Sequence, residues 1–119
     1  MFKWPSRAEV ARALASWAPA VVALQPATLR LGYFGSYARG DWGVGSDLDL
    51  VAVVQSNDKP FELRAADWDL SLLPVPAELL VYTQDEWQRL EREKGRFATT
   101  LACETEWLYV RPAAHPSGT

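Results

Sequence analysis

The sequence predicts an α+β fold, with a mixed β-sheet of about four strands flanked by helices on one side. Four short apolar runs have the composition of strands, at residues 28–34, 47–54, 77–82 and 106–110. Two Ser/Thr-x-x-Glu sequences open helical patterns. The connection between the first two strands is short enough for antiparallel pairing. These observations predict a single domain over residues 1–112 and a flexible tail after it.

The first helix begins at a capping box formed by Ser6 and Glu9. Apolar residues follow at helical spacing, so a helix is predicted over residues 7–17. Pro19 should end this helix, because proline lacks the N–H that a helix interior needs. Residues 21–24 are then either a broken continuation of the helix or a loop.

Three further helical segments are expected later in the chain. A short helix is predicted over residues 61–68. A second capping box, Thr83 with Glu86, opens a helix after the third strand. Gly95 should end that helix, and residues 97–103 form another.

A Gly/Ser turn follows the first strand. Gly35 leaves room for close approach of the backbone, and Ser36 supplies a small hydroxyl. Residues 37–39 form a turn or one helical turn, whose N–H groups favour anions. Residues 41–45 contain two glycines and form a flexible loop. The turn is therefore a candidate phosphate-binding element.

Two aspartates open the second strand. Asp47 and Asp49 are two residues apart, so they point to one face while Leu48 and Leu50 point to the other. Adjacent carboxylates repel each other unless a cation neutralises them. Divalent cations with oxygen ligands, together with substrate phosphates, are the usual solution. An acidic pair beside a phosphate-binding turn indicates phosphoryl or nucleotidyl transfer.

The turn and the aspartates belong to one pattern, Gly35-Ser36-x-Ala38-Arg39-Gly40, five residues, and Ser46-Asp47-x-Asp49. This pattern resembles the signature of the nucleotidyltransferase superfamily that includes DNA polymerase beta. In so short a chain it is most similar to the minimal nucleotidyltransferases (MNT). The signature occupies residues 32–54, and it implies a nucleotidyltransferase-like palm sheet.

The resemblance implies magnesium-dependent transfer of a nucleoside monophosphate from a nucleoside triphosphate, with ATP as the expected donor, to a hydroxyl acceptor. The Asp-x-Asp pair would hold two Mg²⁺ ions with the bound nucleotide, and Gly35 and Ser36 would contact the triphosphate. Arg39 would either bind a phosphate or pair with a site carboxylate. Ser46 would orient Asp47, cap the turn or contact the nucleotide.

Members of this superfamily carry a third carboxylate that holds the catalytic ion and accepts the proton of the nucleophile. Two residues compete for this role. Glu78 heads an apolar run, as the family residue does, and is the favoured metal ligand and general base. Asp69 has the residue type of the family and is the alternative. If Glu78 has the role, the chain departs from the aspartate of the family.

Composition restricts the partners. The formal net charge is −3 and no basic run exists, which argues against extensive nucleic-acid binding. No apolar run approaches the ~20 residues of a membrane span, and no signal peptide is evident, so a cytoplasmic protein is expected.

Cys103, the single cysteine, should be a buried small hydrophobe. His115, in the tail at 113–119, should be solvated, so zinc is not indicated.

The acceptor cannot be read from the residues. Larger family members append an acceptor-binding domain, for which this chain has no room. The resemblance therefore implies a helical HEPN-type protein partner, with the chain as the antitoxin of a toxin–antitoxin pair. The alternative is a non-catalytic nucleotide- or partner-binding module that neutralises such a partner by forming a complex.

Overall fold

The structure is a computed structural model, and it describes residues 3–112. The predicted tail at 113–119, with His115, lies outside the described residues. The helices and strands, in chain order, are α1 Arg7–Leu24, β1 Thr28–Phe34, α2 Ser36–Arg39, β2 Leu48–Val54, α3 Phe61–Arg64, β3 Ala77–Thr83, α4 Gln84–Glu93, α5 Arg96–Glu104 and β4 Glu106–Val110.

The four strands form one mixed sheet in the order β3-β2-β1-β4. The pair β1–β2 is antiparallel, as the short connection between these strands predicts. The pair β1–β4 is also antiparallel. The pair β2–β3 is parallel, and α3 with a 3₁₀ turn at Ala65–Asp67 lies in the crossover between them. The α+β class with a mixed four-stranded sheet is confirmed.

The expectation of helices on one side of the sheet needs correction, because helices cover both faces. On one face, alternate residues of β2 from Leu48 to Val54 share a core cluster with α1 residues such as Trp17. On the other face, Val51 and Val53 cluster with Trp87 of α4 and Leu101 of α5. The unbroken apolar run of β2 is typical of a strand buried on both faces.

The first helix does not end at Pro19. It continues to Leu24, and Gln25 closes it by donating its backbone N–H to the carbonyl oxygens of Val21 and Val22. Proline inside a helix costs about 3 kcal/mol. Ala18 and Val21, on either side of Pro19 in sequence, are both buried in the core. Their burial keeps the last turn of the helix against the sheet.

The remaining boundaries follow the sequence signals closely. Both capping boxes form, at Ser6–Glu9 and Thr83–Glu86. Cys103 differs, because it is exposed on α5 while Leu101 is buried. Residues two apart lie on different faces of a helix. None of the helices in the described part of the chain has the length and apolarity needed to cross a lipid bilayer.

Candidate active site

The site is built at the start of β2. Asp47 is exposed immediately before the strand, and Asp49 is half-buried within it. Asp49 pairs in register with Phe34 of β1 and with Glu78 of β3. Because paired residues point to the same face of a sheet, Asp49 and Glu78 share the face that α4 and α5 partly cover.

Gly35 lies in direct contact with this acidic face. A Cβ built on Gly35 would lie 2.3 Å from Oδ2 of Asp49, which is too close for any side chain. The φ of Gly35 is 75° and its ψ is −152°, a conformation that is essentially restricted to glycine. Ser36 follows as the first residue of α2. The chain therefore brings the Gly/Ser turn against the carboxylate of Asp49.

The pKa of Asp49 is raised, first by burial and then by the negative charges of Glu78 and Asp47, while Arg39 partly lowers it. Each of these causes except Arg39 disfavours the ionised carboxylate. The acidic side chains are thus close enough to repel one another. A cation or a positively charged group at this face would relieve that repulsion.

The two candidates for the third carboxylate lie in different places. Glu78 is exposed on the same face as Asp49. The carboxylate of Asp69 instead accepts hydrogen bonds from the backbone N–H (2.9 Å) and hydroxyl (2.6 Å) of Ser71, and these bonds lower its pKa. The carbonyl oxygen of Asp69 accepts a bond of 2.7 Å from Nε1 of Trp17, on the α1 side of the sheet. The structure brings Glu78, and not Asp69, to the aspartate pair.

Arg39 binds neither aspartate of the pair. Its Nε donates to Oδ2 of Asp41 at 3.1 Å, and its Nη1 donates to Oε2 of Glu104 at 3.2 Å. The hydrogen bond to Asp41 is the main cause that raises the pKa of Arg39. Glu104 ends α5, and nothing in the sequence indicated that it lies beside the motif arginine. Arg39 is therefore held at the edge of the site by two other carboxylates.

Ser46 closes the loop before the aspartates. Its Oγ accepts a bond of 2.8 Å from the backbone N–H of Gly43, and its own N–H donates to the carbonyl oxygen of Gly43 at 2.9 Å. Of the roles considered for Ser46, this geometry corresponds to capping the turn. This closed turn ends at Ser46, and Asp47 follows it immediately before β2.

Tyr37 anchors the helical turn after Ser36, a role that the sequence did not indicate. Its ring is buried and stacks on Trp42, with the ring centroids 5.2 Å apart and the planes at 8°. Its hydroxyl accepts a hydrogen bond of 3.3 Å from Nε1 of Trp4. The aromatic contacts tie α2 and the following loop to the body of the domain.

The donor chemistry at this face suits magnesium. Mg²⁺ prefers oxygen ligands and is usually held by one or two carboxylates, waters and substrate phosphates. Within residues 3–112, no three Asp, Glu, His or Cys side chains converge closely enough to hold a metal by themselves. A cavity of about 350 Å³ between α4 and α5 is lined by residues such as Leu90 and Ala98, and Asp47, Asp49 and Glu78 do not line it. The candidate site is an open surface that a bound phosphate would complete.

Comparisons with known proteins show the family and the fold of the chain. A sequence profile of the nucleotidyltransferase domain matches residues 18–99, more than half of the chain, including the turn, the aspartates and Glu78. The fold is similar to the crystal structure of a protein from Sulfolobus solfataricus described as a candidate nucleotidyltransferase. The TM-score is 0.62 at 16% identity, over 88% of this chain and 84% of that one. No curated protein sequence matches the chain. The chain belongs to the nucleotidyltransferase domain family.

Proposed function

We propose that the protein transfers a nucleoside monophosphate from a nucleoside triphosphate, with ATP as the donor, to a hydroxyl acceptor in a magnesium-dependent reaction. The observation that carries the proposal is the contact between the Gly35 backbone and the Asp49 carboxylate, with Glu78 on the same face. This contact joins the candidate phosphate-binding turn to an acidic face. Family membership supports the same class of reaction.

The acidic residues would bind the metal ions, and the turn would bind the triphosphate. Asp47 and Asp49 would hold two Mg²⁺ ions, with Glu78 as a further ligand. Bound Mg²⁺ supplies charge neutralisation on the phosphate oxygens. Gly35 and Ser36 would orient the triphosphate, since positioning is most of what phosphoryl transfer needs.

Glu78 would act as the general base. The acceptor oxygen attacks the α-phosphorus, a new P–O bond forms, and the bond from the α-phosphorus to the bridging oxygen of the β-phosphate breaks. The acceptor proton passes to the carboxylate of Glu78, and pyrophosphate leaves. The exposure of Glu78 supports this role, because an acceptor can reach it from solvent. A glutamate extends one methylene further than the aspartate of the family.

The acceptor is proposed to be a helical HEPN-type protein in the cytoplasm, with the chain serving as its antitoxin. This part of the proposal rests on the sequence resemblance. The low net charge of −3 supports a protein acceptor over a nucleic-acid acceptor.

The test is transfer of label from α-labelled ATP in the presence of Mg²⁺ and candidate partner proteins. Glu78→Gln should lower the transfer rate by about 10²–10⁴-fold, the usual contribution of a general base, and leave nucleotide binding nearly intact. Asp69→Asn is the matched control and should transfer at the wild-type rate. Loss of transfer in Asp69→Asn but not in Glu78→Gln would contradict the assignment.

The alternative function, a non-catalytic module that neutralises a partner by binding it, is favoured by one observation. The described acids do not form a ready-made metal cluster. If the wild-type protein binds Mg²⁺-ATP and a partner but transfers no label to any acceptor, the binding module is the correct function.

A further inference from the structure

An exposed aromatic ring lies beside the candidate site. Phe97, in the first turn of α5, is 44% exposed. Its ring meets the ring of Phe34 edge-to-face, with the centroids 6.1 Å apart and the planes at 79°. An edge-to-face contact engages only part of a ring. The rest of the Phe97 ring is therefore open to another flat partner.

Phe34 connects this ring to the acidic face. It pairs with Asp49 across β1 and β2, and it immediately precedes Gly35. Side chains directly opposite each other in an antiparallel pair lie on the same face with Cβ atoms ~5 Å apart. One side chain, that of Phe34, thus separates Phe97 from Asp49. The base of a nucleoside triphosphate lies several bonds beyond its phosphates, so a nucleotide with its phosphates at the turn extends to neighbouring side chains such as this ring.

Another aromatic ring beside the turn is already engaged. Tyr37 is buried and stacked on Trp42. Tyr37 cannot receive a base without losing that contact. Phe97 combines exposure with contact to Phe34, which pairs with Asp49 across β1 and β2.

We infer that the exposed ring of Phe97 stacks against the base of the bound nucleotide and helps to determine which nucleotides bind. The inference rests on the proposed function, because it requires phosphates at Gly35 and the aspartates. Stacking on an aromatic side chain accepts every base, since each base has a π-face. Purine nucleotides have the larger rings, so purine triphosphates bind more tightly than pyrimidine triphosphates.

The experiment compares two probes on the full chain in the presence of Mg²⁺, namely ATP and inorganic tripolyphosphate, by isothermal titration calorimetry. Tripolyphosphate has the phosphates but no base. Phe97→Ala should weaken ATP binding about tenfold, a loss within the range measured for removal of one aromatic–base stack. It should leave tripolyphosphate binding unchanged. CTP should lose less affinity than ATP in the same variant.

Three further variants sharpen the test. Phe97→Trp keeps a stacking surface and should retain ATP affinity. Phe97→Leu keeps an apolar contact with Phe34 but has no π-face, so it should lose ATP affinity as Phe97→Ala does. The leucine variant also tests the stacking role if the alanine variant fails to fold. Leu63→Ala is the control, because Leu63 is a comparably exposed apolar residue on α3, at 55%.

The outcomes separate this inference from the proposed function. The stacking role is wrong, and the proposed function stands, in either of two outcomes in which wild type binds both probes. In the first, Phe97→Leu binds ATP as tightly as wild type. In the second, the variants lose equal affinity for ATP and for tripolyphosphate. If wild type binds neither probe, the proposed function itself is wrong, and the stacking role with it.

Discussion

Replacing Gly35 with alanine tests the contact on which the candidate site depends. The backbone of Gly35, at φ 75° and ψ −152°, lies in a region that costs other residues ~1–3 kcal/mol. The new Cβ would also lie 2.3 Å from Oδ2 of Asp49, so the carboxylate must move. Overpacking of this kind adds ~1–3 kcal/mol. We expect Gly35→Ala to lower the free energy of unfolding by about 2–6 kcal/mol.

Two other glycines provide matched controls for the two causes. Gly45 has a φ of 88°, but a Cβ on it would meet no atom within 4 Å, so Gly45→Ala carries backbone strain without a clash. Gly43 has neither problem. Urea unfolding followed by tryptophan fluorescence should give the largest loss of stability for Gly35→Ala, a smaller loss for Gly45→Ala and almost none for Gly43→Ala. In thermal melts, Gly35→Ala should lower the Tm by on the order of 10 °C.

A double-mutant cycle with Asp49→Ala isolates the clash. Residues in direct contact show coupling energies of about 0.5–3 kcal/mol. With the Asp49 carboxylate removed, backbone strain should be the only remaining cost of Gly35→Ala, so its loss of stability should approach that of Gly45→Ala. If Gly35→Ala costs the same with and without the Asp49 carboxylate, the turn and the carboxylate do not touch in solution. The reasoning that joins the phosphate-binding turn to the acidic face would then be refuted.

Two further predictions concern charge. In EDTA, the raised pKa of Asp49 means that the folded state holds this proton more tightly than the unfolded state, so its effect on stability is lost as the pH rises from about 4 through the folded pKa. Asp49→Asn should become more stable than wild type over that range in urea titrations. The pKa of Asp69 is lowered, so the stability that its carboxylate contributes is lost as the pH falls from about 4 through the folded pKa, and Asp69→Asn should lack that loss. Identical pH profiles for the two variants would contradict the account. With Mg²⁺-ATP added at neutral pH, the melting temperature of wild type should rise and that of Asp47→Asn/Asp49→Asn should not. Glu86→Ala removes the carboxylate that pairs with buried Arg64 and that accepts the Thr83 N–H in the capping box, and it should cost ~3 kcal/mol in urea unfolding. A change below ~1 kcal/mol would show that the pair adds little beyond the capping bond.

Local signals in the sequence were enough to predict most of the elements. The capping boxes at Ser6 and Thr83 each start a helix at the expected residue. The strand predicted at 28–34 matches β1, and the one predicted at 106–110 matches β4. These features depend on a few adjacent residues, so they need no knowledge of the rest of the fold.

Features that depend on distant contacts were not predicted. Arg64 is 6% exposed, and its guanidinium donates two hydrogen bonds to Glu86, at 2.6 and 3.2 Å, and one to the carbonyl oxygen of Val81. The sequence indicates Glu86 only as a capping residue. Burial of a charge requires such partners, and these partners lie on two other elements, β3 and α4. The same reason explains Pro19, where packing on the sheet outweighs a local helix-breaking signal.

The grouping of acids at the candidate site follows from the packing of their apolar neighbours. Leu48 and Leu50 of β2 lie in the same buried core as Leu79 of β3. Since side chains alternate along a strand, burying these leucines sends Asp49 and Glu78 together to the opposite face. A one-residue slip of β3 would bury Glu78 and expose Leu79. Each buried leucine contributes ~1.5–3 kcal/mol, so the core holds the register against the mutual repulsion of the carboxylates. The fold thereby keeps the carboxylates of Asp49 and Glu78 close together, although they repel each other when no cation is bound.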